Sequence, residues 1–336
     1  MENQAISYIA SVGIGSPPTN YNLIVDTGSS LTWIGANKAY VQTSTSQPTT
    51  NTFSLSESSI SASGDMYTDQ VTLASGLVVT VQSIGVASSS TGLKGVDGVL
   101  GLGPTDLTIG ILSPDTTSSI PTVIDNLFAE GTITEHDVSL SFEPITDSSG
   151  SQENGEATWG GTDSSKYTGS ITFVPITATS PASNYWGIDA SIGYGDTTIL
   201  STTAGIVDSG TTLLLLASDA FKKYQSVTGG VPDISTGLLT ITSDQYASLQ
   251  SLFFTIGGTR FEYTANAQIW PRSLNSAIGG TAGSIYLIVA DNGANSGSGR
   301  DFVLGQAFME RFYTVFDTAN KRVGIATTPH TDDTSN

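Results

Sequence analysis

Along most of the chain, short runs rich in Val, Ile, Thr, Tyr and Phe alternate with clusters of Gly, Ser, Asn and Asp. β-Branched and aromatic side chains fit a pleated, half-buried surface, so such runs read as strands bounded by turns. The pattern predicts strands over 8–14, 22–25, 71–86, 138–142, 171–176 and 286–289. Within 71–86, Ala74-Ser75-Gly76 suits a hairpin turn between Val71-Thr72-Leu73 and Leu77-Val78-Val79. Helical signals are few. Pro121 suits a first helical turn, Val123, Ile124, Leu127 and Phe128 make an apolar face, and Gly131 can stop the helix. Ser218 reads as the cap of a helix through Phe221 and Tyr224 that ends near Gly229. Ser243 reads as the cap of another through Tyr246, Leu249 and Leu252, and a last short helix covers 306–312. The polar stretches 43–52 and 147–155 read as surface loops, and the tail after Thr328 as a frayed end. Many strands with a few peripheral helices indicate a mainly β protein.

A length of 336 residues suits two domains, and 38% hydrophobic residues can fill a core in each. Charge narrows the function classes. Acids outnumber bases 30 to 11, and the net charge of -19 repels nucleic-acid phosphates and anionic membranes, which excludes both as expected partners. A chain so poor in Lys and Arg gains few cations as its carboxylates neutralise, a balance that fits acid tolerance. With no cysteine, a thiol nucleophile, a zinc–thiolate site and a disulfide are impossible. No apolar run reaches the roughly 20 residues of a membrane span. Met1-Glu2-Asn3-Gln4 lacks the basic start and apolar core of a signal peptide, which leaves a cytosolic protein or a mature domain freed of its leader. The two histidines, His136 and His330, are too few for a zinc site and poorly placed to activate a serine, so no metal and no cofactor are expected.

An internal repeat carries the chemistry. Ile24-Val25-Asp26-Thr27-Gly28-Ser29-Ser30 recurs, a little more than half the chain later, as Ile206-Val207-Asp208-Ser209-Gly210-Thr211-Thr212. In each copy a buried strand ends at a carboxylate, and a hydroxyl residue and Gly follow to make a tight turn whose N–H groups can bond it. A second phrase is duplicated too: Gly98-Val99-Leu100-Gly101 matches Phe302-Val303-Leu304-Gly305.

With Trp33 seven residues after Asp26, Tyr185-Trp186-Gly187-Ile188, and 304–317 beginning Leu304-Gly305-Gln306-Ala307-Phe308, these motifs resemble the pepsin family of aspartic proteases, in particular its cysteine-free fungal members. The likeness runs from about Tyr8 to Thr327. It implies a bilobal fold of two β-barrel-like lobes joined by a shared interdomain sheet, with the N-terminal lobe at 1–168 and the C-terminal lobe at 169–336. It also implies that Asp26 and Asp208 are the catalytic carboxylates, sharing one proton because two adjacent acids do not both ionise easily. By the same resemblance Ser29 and Thr211 support the outer carboxylate oxygens, and Thr27 and Ser209 brace the two turns beside Gly28 and Gly210. The partners implied are an extended peptide with apolar residues at the scissile bond and statine-type inhibitors such as pepstatin. A secreted monomer is expected on the same ground.

One departure stands out. The family's hairpin flap carries a Tyr followed by Gly-x-Gly, whereas counting back from Gly64 and Asp69 lands on Glu57 in Ser56-Glu57-Ser58-Ser59-Ile60. Glu57, Ser58 and Ile60 are therefore expected at the flap with Trp33 behind it, unless an insertion makes Phe53 the replacement. Leu31, Leu213 and Leu215 are candidates for apolar subsites. The altered flap leaves a second reading open: a non-proteolytic protein on the same fold that binds a ligand or acts on a small molecule.

Overall fold

The structure is a computed structural model that describes residues 1–57 and 60–336. Among the described residues, ten strands drawn from 2–153 form one sheet, seven drawn from 187–304 a second, and three between 231 and 287 a third. A further sheet of five strands takes members from the middle of the chain and from near its C-terminus. Its order is Glu156–Trp159, Asp137–Ser141, Phe312–Asp317, Arg322–Thr327, Thr168–Pro175. Val138 faces Phe316 and Leu140 faces Thr314, so the two halves are tied by backbone hydrogen bonding rather than by side-chain contact alone. Phe312–Asp317 is buried along its whole length, as expected of a strand covered on both faces.

Period-two patterning explains the strands that lead to the site. Tyr21, Leu23 and Val25 alternate inward along Thr19–Asp26 and are fully buried. The hairpin over 71–86 forms as the sequence predicts. Ala74 pairs with Leu77, and Gly76 turns the chain with φ +81°, a left-handed conformation that costs little only for glycine. Both arms extend further than expected, to Ile60–Ala74 and Leu77–Thr91. A core of Leu31, Trp33, Phe53, Met66, Val99, Leu112 and Ile120 lies among these strands, separate from the larger core that runs through the rest of the molecule.

Several local expectations are corrected. Thr122, not Pro121, opens the helix Val123–Ala129: its hydroxyl accepts from Asp125 N while the Asp125 carboxylate accepts from Thr122 N. Thr242 plays the same role with Gln245 for Ser243–Ala247, so Ser243 is the first helical residue and Leu252 already begins a strand. Ser218 likewise lies inside its helix, Ser218–Thr228, and its hydroxyl donates to Asp291. The last helix is confined to Gln306–Met309, because Phe312 starts a strand of the shared sheet. Residues 47–52 of the supposed loop 43–52 belong to the strand Gln47–Glu57, and Gln152–Glu153 pairs with Glu2–Asn3.

The C-terminal tail is docked, not frayed. Arg311, 1% exposed, donates to the carbonyls of His330 and Asp333, and Arg272 and Asn266 donate to the carbonyl of Asn336. A buried guanidinium needs acceptors, and the tail supplies them.

Candidate active site

The two copies of the repeat end equivalent strands. Thr19–Asp26 runs parallel to Gly98–Gly101, with Asp26 opposite Gly101. Thr197–Val207 runs parallel to Phe302–Leu304, with Val207 opposite Leu304. Each turn after the Asp folds over the second duplicated phrase. Leu102 N donates to Asp26 O (2.7 Å) and Gly103 N to Ser29 O (2.8 Å). In the other half Asp208 N donates to Leu304 O (3.0 Å) and Gln306 N to Thr211 O (2.7 Å). This contact explains the glycine that closes each phrase. A Cβ at Gly101 would lie 2.5 Å from the Ser30 carbonyl carbon, and one at Gly305 would lie under 3.0 Å from the backbone oxygens of Leu213 and Thr211.

The turns also lock to each other across the lobes. Thr27 N donates to Ser209 Oγ and Ser209 N to Thr27 Oγ1, both at 3.0 Å. The same two hydroxyls pass their own protons across the interface, Thr27 to Val207 O (3.2 Å) and Ser209 to Val25 O (2.7 Å). Both side chains are buried, so this closed set of four bonds replaces solvent that the backbone groups have lost.

The carboxylates are held in matching cradles. Gly28 N donates to Asp26 Oδ1 at 2.8 Å and the Ser29 hydroxyl donates to Asp26 Oδ2. Gly210 N donates to Asp208 Oδ1 at 2.9 Å and the Thr211 hydroxyl to Asp208 Oδ2 at 2.7 Å. The glycines bring the acids together. A Cβ on Gly28 would sit 2.5 Å from Asp208 Oδ1, and one on Gly210 under 3.0 Å from Asp26. Each turn thus bonds its own carboxylate while its backbone lies against the other.

Asp26, Asp208, Gly28, Gly210 and Thr211 line a cleft of about 320 Å³. Ser56 and Ile60 enter it from the hairpin Gln47–Glu57/Ile60–Ala74, and Tyr185, Ile206 and Arg300 from the second half of the chain. Glu57 pairs with Ile60 at the tip of that hairpin, where the spacing argument placed it. Ser58 and the Glu57 side chain lie outside the described residues. Trp33 and Phe53 are both buried in the small core beneath, as is Leu31, and neither Leu213 nor Leu215 lines the cleft. At the base of the hairpin, Asp69 accepts hydroxyls from Tyr40 (2.5 Å), Thr45 (2.5 Å) and Ser46 (2.7 Å). Burial pushes this carboxyl up, but those bonds and the Gln70 N–H outweigh it and hold it below the usual range.

Residues 7–328 match the family model of the eukaryotic aspartyl proteases. The chain belongs to that family. Polyporopepsin from Irpex lacteus is 62% identical over 335 residues, spanning 99% of this chain and 98% of that protein. Rhizopuspepsin-1 from Rhizopus niveus is 32% identical over 96% of this chain and 79% of its own length. The crystal structure of the aspartic proteinase from Irpex lacteus superposes with a TM-score of 0.98, covering 100% of this chain and 98% of that one. An aspartyl protease is thus what the fold and the sequence both describe, and a non-proteolytic role finds no support in these likenesses. Of the cleft residues, Tyr185 and Ile206 sit inside recognised phrases and Ser56 and Ile60 inside the flap segment, whereas Arg300 sits in none. The only signal for Arg300 is spatial, because it is brought to the cleft by a loop whose path the local sequence does not specify.

Proposed function

We propose that this aspartyl protease is an acid endopeptidase in which Asp26 and Asp208 together activate a water for attack on the scissile carbonyl. One carboxylate, ionised, takes the water's proton, while the other, protonated, donates to the carbonyl oxygen, and no covalent intermediate forms. The observation that carries this reading is the matched cradle: each Asp receives a glycine N–H on one oxygen and a hydroxyl on the other. Ser29 and Thr211 are positioning residues here, and Thr27 and Ser209 fix the spacing of the pair. Ile60, Ile206 and Tyr185 give the cleft apolar walls, which favours apolar side chains beside the bond that is cut. Pepstatin sensitivity, secretion and action as a monomer belong to the same reading. So does the division into lobes 1–168 and 169–336, each bringing one Asp. It is supported by the passage from Glu156–Trp159 at one edge of the five-stranded sheet to Thr168–Pro175 at the other.

Digestion of a denatured protein substrate between about pH 2.5 and 6 tests the proposal. Cleavage confined to acid, lost with pepstatin and lowered at least about a thousandfold in Asp26→Asn is the expected result. Cleavage that survives Asp26→Asn in folded protein would remove Asp26 from the mechanism.

A further inference from the structure

Arg300 is one of only 11 cations in the chain, yet it stands on the wall of the cleft that holds both Asp26 and Asp208. Its place is fixed by the loop that leads to it. Asp301, fully buried, accepts from Thr203 Oγ1 (2.6 Å) and Gly297 N (2.7 Å) on one oxygen, and from Ser298 N and Oγ (both 3.0 Å) on the other. Asn292 Nδ2 donates to the Arg300 carbonyl at 2.6 Å, and Ala182 N donates to Gly299 O at 3.3 Å. The backbone on both sides of Arg300 is therefore anchored, and the carboxylate next to it in sequence is committed to the loop.

The side chain faces a different environment. Its guanidinium stands 5.9 Å from the centre of the Tyr185 ring, another cleft residue, and the side chain is only partly buried. Among the described residues it forms no ion pair, in a protein with 30 acids. A guanidinium at that distance over an aromatic ring keeps its N–H edge available, and that edge matches a carboxylate in bidentate geometry.

We propose that Arg300 is a specificity-determining residue that binds a carboxylate of the bound peptide, either an Asp or Glu side chain or a free C-terminus, on the side of the cleft formed by Tyr185. The inference rests on the cleft being the peptide site, and it adds an acidic preference to an otherwise apolar one. Asp26 and Asp208 face the same cleft and Asp301 adjoins Arg300, so the contrast is read as a ratio between paired peptides, which cancels their effect on the common chemical step, and is compared with Arg300→Met, which keeps their charge acting on the Glu carboxylate.

The test uses an apolar host peptide, acetylated and amidated, with Glu or Gln at each position around the cut, together with the free-acid form of the host. Below about pH 3 the Glu side chain is neutral and the ratio of kcat/KM values is expected near one. By about pH 5.5 it is expected to rise to roughly tenfold at one position, the size of a single charge-assisted bond. Arg300→Met should return that ratio to about one, and Arg300→Lys should keep part of it. A preference shown only by the free acid assigns the carboxylate to the substrate's C-terminus. Should Arg300→Met fail to fold, the rise of the wild-type ratio with pH and its partial retention in Arg300→Lys still decide the matter. A ratio that stays flat at every position and terminus, or that is unchanged in Arg300→Met, overturns the inference while leaving the protease intact. No cleavage of the Gln host at any pH overturns the dyad reading and this one together.

Discussion

Thr27 and Ser209 show how much a single hydroxyl can govern. Thr27 Oγ1 accepts from Ser209 N and donates to Val207 O, and no solvent reaches it. Thr27→Val keeps the shape but strands a buried N–H and a buried carbonyl, each costing about 1–3 kcal/mol. A loss of about 3 kcal/mol in urea unfolding is expected, together with reduced activity, because the same bonds set the distance between the carboxylates. Thr27→Ser, which restores the hydroxyl, should recover most of both. A Thr27→Val loss below about 1 kcal/mol would mean that packing, not this bond set, holds the turns.

At the scale of an element, the hairpin over the cleft depends on its base as much as on its tip. Asp69 is 1% exposed and gathers Tyr40, Thr45 and Ser46 from the segment that precedes the first arm. Its carboxyl lies below the usual range in the folded state, so the unfolded chain binds its proton more readily. The stability it contributes is complete above the unfolded value of about 4 and is lost as pH falls through the lower, folded value. Asp69→Asn should therefore weaken the hairpin most at pH 5 and progressively less toward pH 2. Amide exchange in Ile60–Ala74 measures this, and equal protection in the two proteins at pH 5 would refute it.

Two features belong to the molecule as a whole. Glu310 sits between the halves, accepting from Asn3 Nδ2 (2.8 Å) and Gln306 Nε2 (2.9 Å). Burial pushes its carboxyl up to about 7, against the opposing pull of Gln306, Asn3 and Arg311. Here the folded state binds the proton more tightly than the unfolded one. The contribution is complete below about pH 4.5 and is lost as pH rises through about 7, on the order of 3 kcal/mol in all. Glu310→Gln should flatten the fall in Tm between pH 5 and 7.5, and an unchanged slope would assign that fall to other groups. The docked tail is the second feature. Removing 329–336 takes two carbonyl acceptors from buried Arg311 and should cost about 3 kcal/mol in urea unfolding, since an uncompensated buried cation is expensive. A loss of less than about 1 kcal/mol would show that solvent replaces the tail without penalty.

Short-range pattern was enough for the features that repeat. Alternation along Thr19–Asp26, the turn at Ser75-Gly76 and the two Asp-hydroxyl-Gly turns are each specified within a few residues, so the sequence alone determined that strand, that hairpin and those two turns. The helix starts slipped by one or two residues because Thr122 and Thr242 compete with their neighbours, and only the reciprocal bonds to Asp125 and Gln245 settle the register. The tail looked free because it is polar and terminal, while the buried cation its carbonyls satisfy, Arg311, lies about twenty residues earlier, just before the strand Phe312–Asp317. For the same reason the tertiary structure alone decided that Glu310 bonds to residues of both halves and that Arg300 and Tyr185 share a wall of the cleft. Burial and charge environment are set by whatever packs alongside, and those neighbours are distant in the chain.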